Sequence, residues 1–166
     1  MRGVLFQSPI ALLLLAFALF GCSAKQEGPA NSPASPQTDQ SAAQGVPSDR
    51  LEDLKLLVRV PFEAEDGVWR IDPRSKKLTA VLIFTPEDAR LLLDELRKGG
   101  EGNDAEIALE SWFPEELIAK GEMSGDAELR GKSYPADVFL MESYKSGRVI
   151  HIEETEIFIL ELRSGE

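Results

Sequence analysis

Hydrophobic residues divide the chain into three stretches with different patterns. Residues 10–20 form an unbroken apolar run, whereas residues 23–48 contain almost no large apolar side chains. From Leu51 onward, apolar residues return in the short alternating and helical spacings of a folded domain. The apolar run is too short to cross a bilayer, for which a helix needs about 20 residues. The pattern predicts a signal peptide over residues 1–21, a disordered Pro-, Ser- and Gln-rich tether over 22–50 and a single globular domain over 51–166.

Two neighbouring segments carry the clearest pattern of the domain. Residues 77–85 are almost continuously apolar, as in a strand that is buried on both faces. Thr85 and Pro86 then form a pair that is typical of a helix start. Four apolar residues follow at the spacing of one helix face: Ala89, Leu92, Leu93 and Leu96. We therefore predict a core strand followed by an amphipathic helix over 86–98.

The remaining segments have weaker patterns, and their predicted elements depend on turn residues. We expect one or two helical turns capped by Ser48, and then a hairpin of strands at 55–62 and 68–71 with a turn at 63–67. Further elements are expected as follows: a strand at 107–113, a helix at 114–120, strands at 127–131, 137–144, 149–153 and 156–162, and a turn at 145–147. At 153–155 a tight turn and a bulge inside one long strand are both compatible with the sequence. The fold class that follows is α+β, with a mostly antiparallel sheet of six or seven strands, the main helix on one face and the second, short helix near an edge.

Charge and cysteine content limit the function classes. The chain has 29 Asp and Glu against 18 Lys and Arg, a net charge of −11, and acidic residues occur throughout the domain. This balance argues against nucleic acid as a partner and against contact of the domain with an anionic membrane face, since both require clustered Lys and Arg. The single cysteine, Cys22, excludes a disulfide framework. We expect packing alone to hold the domain.

One acidic segment is a weak candidate for a metal site. Residues 101–106 contain Glu101, Asp104 and Glu106, and carboxylate oxygens are ligands that calcium prefers. The segment lacks the ordered acidic spacing of the twelve-residue calcium loop. A solvated loop without metal is therefore the expectation, and no cofactor is predicted.

The lone histidine, His151, lies between two isoleucines in a predicted strand. A single histidine excludes a histidine-rich zinc site, and a catalytic base would need a partner such as Ser133 or Ser143 nearby. Alternation predicts that His151 lies on the solvent face of the strand, opposite Ile150 and Ile152. We therefore predict no catalytic residue.

Two adjacent aromatic residues offer a possible contact for a partner. Trp112 and Phe113 directly precede Pro114 at the predicted helix start. Exposed aromatics contribute strongly to binding at interfaces, but aromatics beside a helix start also often belong to the core. Both alternatives stay open at this stage.

The end of the apolar run has the pattern of a known processing site. Leu19, Phe20, Gly21 and Cys22 resemble the lipobox of bacterial lipoproteins, although Phe20 replaces the small residue usual at that position. The resemblance covers about the first 23 residues and implies cleavage between Gly21 and Cys22 with lipid attached to the Cys22 sulfur. It also implies a location in the cell envelope. In Gram-negative lipoproteins, an Asp directly after the cysteine resembles a signal for retention in the inner membrane. Ser23 occupies that position here, which favours the periplasmic side of the outer membrane.

Two functions are compatible with these observations. The first is a lipid-anchored envelope lipoprotein whose domain is a non-catalytic interaction or binding module for an envelope protein. The alternative is a small envelope enzyme or enzyme regulator that uses acidic residues and His151.

Overall fold

A six-stranded antiparallel sheet forms the frame of the computed structural model, which describes residues 45–125 and 128–165. The strands are β1 (Ala64–Ile71), β2 (Lys77–Phe84), β3 (Asn103–Ala108), β4 (Glu128–Pro135), β5 (Ser146–Ile152) and β6 (Ile157–Arg163). The helices are α1 (Leu51–Lys55), α2 (Pro86–Arg97) and α3 (Glu115–Ser124), with a 3-10 turn at Asp137–Phe139. The strand order is β1-β2-β6-β5-β4-β3. The predicted α+β fold is confirmed, and no helix of the described ranges is long and apolar enough to cross a membrane.

The segment with the clearest sequence pattern folds as predicted. In β2, residues from Leu78 to Leu82 are buried on both faces of the sheet. The Thr85 hydroxyl caps α2 by accepting the Asp88 amide hydrogen at an N···O distance of 3.0 Å. The buried residues of α2 are Ala89, Leu92 and Leu96, which lie on one face of the helix. Local signals were therefore sufficient for this strand and helix.

The sheet has an apolar core on each face. On the first face, Leu92 and Leu96 of α2 pack with alternate residues of β2 and β6 such as Leu160. On the second face, Leu117 of α3 packs with the opposite set, which includes Ile159. The second helix was predicted near an edge, and it does contact β4, the neighbour of the edge strand β3, where its apolar residues cover part of the second face.

The hairpin predicted at 55–71 is wrong. Lys55 ends α1, and backbone bonds from Leu57 and Val58 to the Leu54 carbonyl continue the helical turn. The predicted helical turns are thus confirmed by α1, whereas Val58, which is buried one helical turn after Leu54, was misassigned to a strand. Residues 64–67 of the predicted turn belong to β1, which pairs with β2 instead.

The fold begins before the predicted boundary at Leu51. Ser48 forms two backbone hydrogen bonds of 2.8 Å with Trp69 of β1, and its side chain is buried rather than capping α1. The residue before α1 is Arg50, whose carbonyl accepts a hydrogen bond from the Trp69 indole at 3.1 Å. Residues 48–50 thus belong to the domain, and they cover the outer edge of β1.

Four predicted elements in the second half of the chain are also displaced. Residues 103–108 form β3, so the expected loop at 101–106 is mostly strand, and the expected strand at 107–113 ends at Ala108. Residues 137–144 contain the 3-10 turn, which buries Phe139 in the first core. Residues 146 and 147 of the predicted turn at 145–147 are the start of β5, whereas 153–155 does form the turn between β5 and β6.

Candidate functional site

Seven cationic side chains lie together at one end of the sheet, which we call the basic end. They come from the ends of β1 and β6, the β1–β2 turn and the starts of β2 and β5: Arg70, Arg74, Lys76, Lys77, Lys145, Arg148 and Arg163. The antiparallel register places Lys77 opposite Arg163, and Arg163 opposite Ser146. Three carboxylates lie among the cations: Asp72, Glu161, and Glu110, which pairs with Arg70. These ten residues have a net charge of +4 in a chain whose net charge is −11.

Three depressions join the basic end into one surface. A depression of about 260 Å³ is lined by Lys77, Ser146, Gly147, Arg148, Glu161 and Arg163. A second, of about 480 Å³, shares Lys77 and Arg163 with it and extends to Arg74. The third, of about 270 Å³, shares Arg74 and reaches Arg70 and Gly45. The shared residues make the surface continuous.

Glu161 is the anion at the centre of the basic end. It accepts hydrogen bonds from Lys77 and, at 2.6 Å, from Arg148, and its side chain is 12% exposed. Burial by itself would raise the pKa of Glu161, but the two charged donors outweigh burial and lower its pKa below the usual value. Glu161 therefore stays ionised at neutral pH and fixes two cations of the surface.

Replacing Glu161 with glutamine is expected to lower the free energy of unfolding at pH 7 by about 1 to 2 kcal/mol, because two charge-assisted hydrogen bonds are weakened. A carboxylate whose pKa is lower when folded stabilises the protein above its unfolded pKa, about 4.3, and this stabilisation is lost as the pH falls through the folded pKa. The difference between wild type and Glu161→Gln should thus shrink below about pH 4. Urea denaturation at pH 7 and pH 3 measures it. Glu156→Gln, at an exposed position of the β5–β6 connection, is the control and should change stability little at either pH.

Four cations of the basic end remain free within the described residues. Arg74, Lys76, Lys145 and Arg163 are exposed, and none of them forms an ion pair with a residue of 45–125 or 128–165. Lys77 and Arg163 are directly opposite each other in the sheet, and the charge of Lys77 is compensated by Glu161. The four exposed cations are therefore available to an anionic ligand.

Trp112 closes the second face beside the basic end. Its indole donates a hydrogen bond of 2.9 Å to Glu110, which also pairs with Arg70, and the Arg70 guanidinium lies 4.9 Å from the centre of the Trp112 ring. Phe113, in contrast, is only 4% exposed and packs in the second core. Of the two aromatic residues, only Trp112 offers surface to a partner.

The acidic segment that was considered for metal binding lies at the opposite edge of the sheet. Asp104 pairs across the strands with Lys132, which lowers the pKa of Asp104, and Glu106 lies 3.9 Å from Arg130. Glu101 is exposed just before β3. Among the described residues, no three His, Cys, Asp or Glu side chains converge as a metal site would require.

His151 is half-buried on the first face, opposite Ile150 and Ile152, where its ring contacts the Phe158 ring at a centroid distance of 4.8 Å. Its Nε2 lies 2.8 Å from the Thr155 carbonyl oxygen, to which a protonated Nε2 donates. Ser133 pairs with Ile150 and therefore lies on the second face. The structure thus does not bring His151 and Ser133 together.

Comparison of the chain with protein-family models, curated proteins and solved structures found no match. The predicted processing residues Gly21 and Cys22 lie outside the described residues. The basic end was not predicted, although four of its cations fall within residues 70–77, and that density was the one local signal for it.

Proposed function

We propose that the chain is a lipid-anchored protein of the bacterial cell envelope whose domain is a non-catalytic binding module. The observation that supports a binding role best is the concentration of seven cations at one end of an otherwise acidic domain. We assign the basic end as the binding surface, and anionic groups as its ligands.

The anchor rests on the sequence around Cys22. The apolar run, the small residue Gly21 and the only cysteine of the chain occur in the order of a lipoprotein processing site. Lipid attached to Cys22 carries more than one acyl chain, which holds a protein stably on a membrane, whereas a single chain does so only marginally. By the same reading, Ser23 favours the outer membrane in a Gram-negative cell.

The alternative, an envelope enzyme that uses His151, has less support. A catalytic base needs a free ring nitrogen and a reacting group within hydrogen-bonding distance. The Thr155 carbonyl engages only Nε2 of His151, but Ser133 lies on the other face of the sheet and so offers no reacting group to the second ring nitrogen. Loss of the cellular function in an intact His151→Ala protein would nevertheless favour the enzyme.

Labelling of growing cells with radioactive palmitate tests the anchor. We expect incorporation into the wild-type chain, complete loss of label with Cys22→Ala, and a mature protein whose mass corresponds to residues 22–166 plus lipid. Ser23→Ala is the matched control and should keep the label. An unlabelled wild-type chain, or an amino terminus elsewhere, would contradict the proposal.

A further inference from the structure

We propose that the basic end docks the domain on the anionic phospholipid headgroups of the membrane that holds the Cys22 lipid. This inference rests on the proposed function, because it requires the anchor. It also reverses the expectation from composition that the domain avoids an anionic membrane face. That expectation considered the charge of the whole chain, whereas a membrane surface responds to the charge nearest to it.

The basic end lies where the chain enters the domain, which places it near the proposed lipid anchor. Gly45, the first described residue, lines the same depression as Arg70 and Arg74 and lies against Pro73. Only 22 residues separate Gly45 from Cys22, so the entry point cannot lie more than about 80 Å from the lipid even if they are fully extended. A tether of this length keeps the entry point, and with it the basic end, at a high effective concentration near the membrane surface.

The distribution of charge gives the docked domain one orientation. The cations of the basic end are attracted to anionic headgroups within a Debye length, about 8 Å at physiological salt. The excess negative charge of the chain lies outside the basic end, so the rest of the surface is repelled. Within the described part of the chain, binding to headgroups would break no ion pair of the four exposed cations, which are Arg74, Lys76, Lys145 and Arg163. The structure therefore supplies attraction at the entry point and repulsion elsewhere.

Vesicle sedimentation tests the docking without the anchor. The protein is the mature chain from residue 22 with Cys22→Ser, so that lipidation cannot contribute. The vesicles contain phosphatidylethanolamine and phosphatidylglycerol at 3:1, with neutral phosphatidylcholine vesicles for comparison. We expect binding to the anionic vesicles at 20 mM salt, a loss of at least tenfold at 300 mM salt, and no binding to the neutral vesicles.

Two variants with the same change of charge locate the surface. Arg74→Glu with Arg163→Glu should reduce binding at least tenfold, and it should remain folded because a glutamate at position 163 faces Lys77. Arg90→Glu with Lys120→Glu, on α2 and α3, should bind within twofold of the parent. Circular dichroism checks that both are folded.

Three outcomes would overturn the docking: no binding to anionic vesicles at low salt, equal loss in both variants, or binding to soluble polyglutamate but not to vesicles, which would point to an acidic protein partner. Failure of the anchor is seen separately, as missing palmitate on the wild-type chain. A labelled chain that does not bind vesicles would therefore leave the anchor intact and remove only the docking.

Discussion

Replacing Trp69 with alanine should lower the free energy of unfolding by about 3 to 5 kcal/mol, the range for removing a buried aromatic side chain. Trp69 has no exposed surface and is the largest residue of the first core. Its indole also donates the hydrogen bond to the Arg50 carbonyl, and its backbone pairs with Ser48. The substitution leaves a cavity and weakens the attachment of residues 48–50, so the two losses add. Urea denaturation followed by circular dichroism measures the change.

The chain offers a matched control, since Trp112 is its only other tryptophan. Trp112 is half-buried, and it contacts the Phe113 ring edge to face, the Arg70 guanidinium and, through its indole hydrogen bond, Glu110. Trp112→Ala should therefore cost only about 1 to 2 kcal/mol. If the two variants lost equal free energy of unfolding, the burial of Trp69 and its contacts with residues 48–50 would not contribute to stability, which would contradict the packing described for Trp69.

Replacing Gly147 with alanine is the second substitution for which we expect a large effect. A Cβ atom at this position of β5 would lie 2.3 Å from the Glu161 carbonyl oxygen and 2.4 Å from a methyl group of Leu162. Backbone atoms of β6 cannot move aside without breaking the ladder, so we expect a loss of about 2 to 3 kcal/mol. The displacement would also disturb the Arg148–Glu161 pair of the basic end. Chemical denaturation measures the loss of stability, and salt-dependent vesicle binding measures the effect on the basic end.

Gly99→Ala is the control for this prediction. The nearest atom to a Cβ at Gly99 is the Leu96 carbonyl oxygen at 3.5 Å, an ordinary contact, and Gly99 does not have a positive φ. Its substitution should change stability by less than about 0.5 kcal/mol in either direction. A Gly147→Ala protein as stable as Gly99→Ala would show that β5 and β6 are farther apart than in this structure.

Gly147 also illustrates what the sequence could not reveal. Glycine in an apolar segment marks either a turn or a close approach of two strands, and the turn was predicted. The deciding fact is the position of the Glu161 carbonyl, which belongs to another strand. In β2 and α2, by contrast, the hydrophobic period, the Thr85 cap and Pro86 are all local, and the prediction was correct.

The basic end was missed for the same physical reason. Arg74, Arg148 and Arg163 are far apart in the sequence and meet only because β6 lies between β2 and β5. The net charge of the chain does not reveal which strands are neighbours in the sheet. The candidate residues that were predicted from sequence, namely Asp104, Glu106 and His151, instead have partners within the fold.

The place of β6 in the sheet has a consequence for the synthesis of the protein. β6 is the last of the six strands to be translated, yet it alone joins the β1–β2 pair to the β3–β4–β5 group. Until β6 has left the ribosome, the two groups have unpaired edges and neither core can close. A nascent chain that cannot finish folding remains suited to passage through a translocation channel as an extended polypeptide. A late central strand thus keeps the sheet from closing until β6 has been synthesised, which suits the export that we propose.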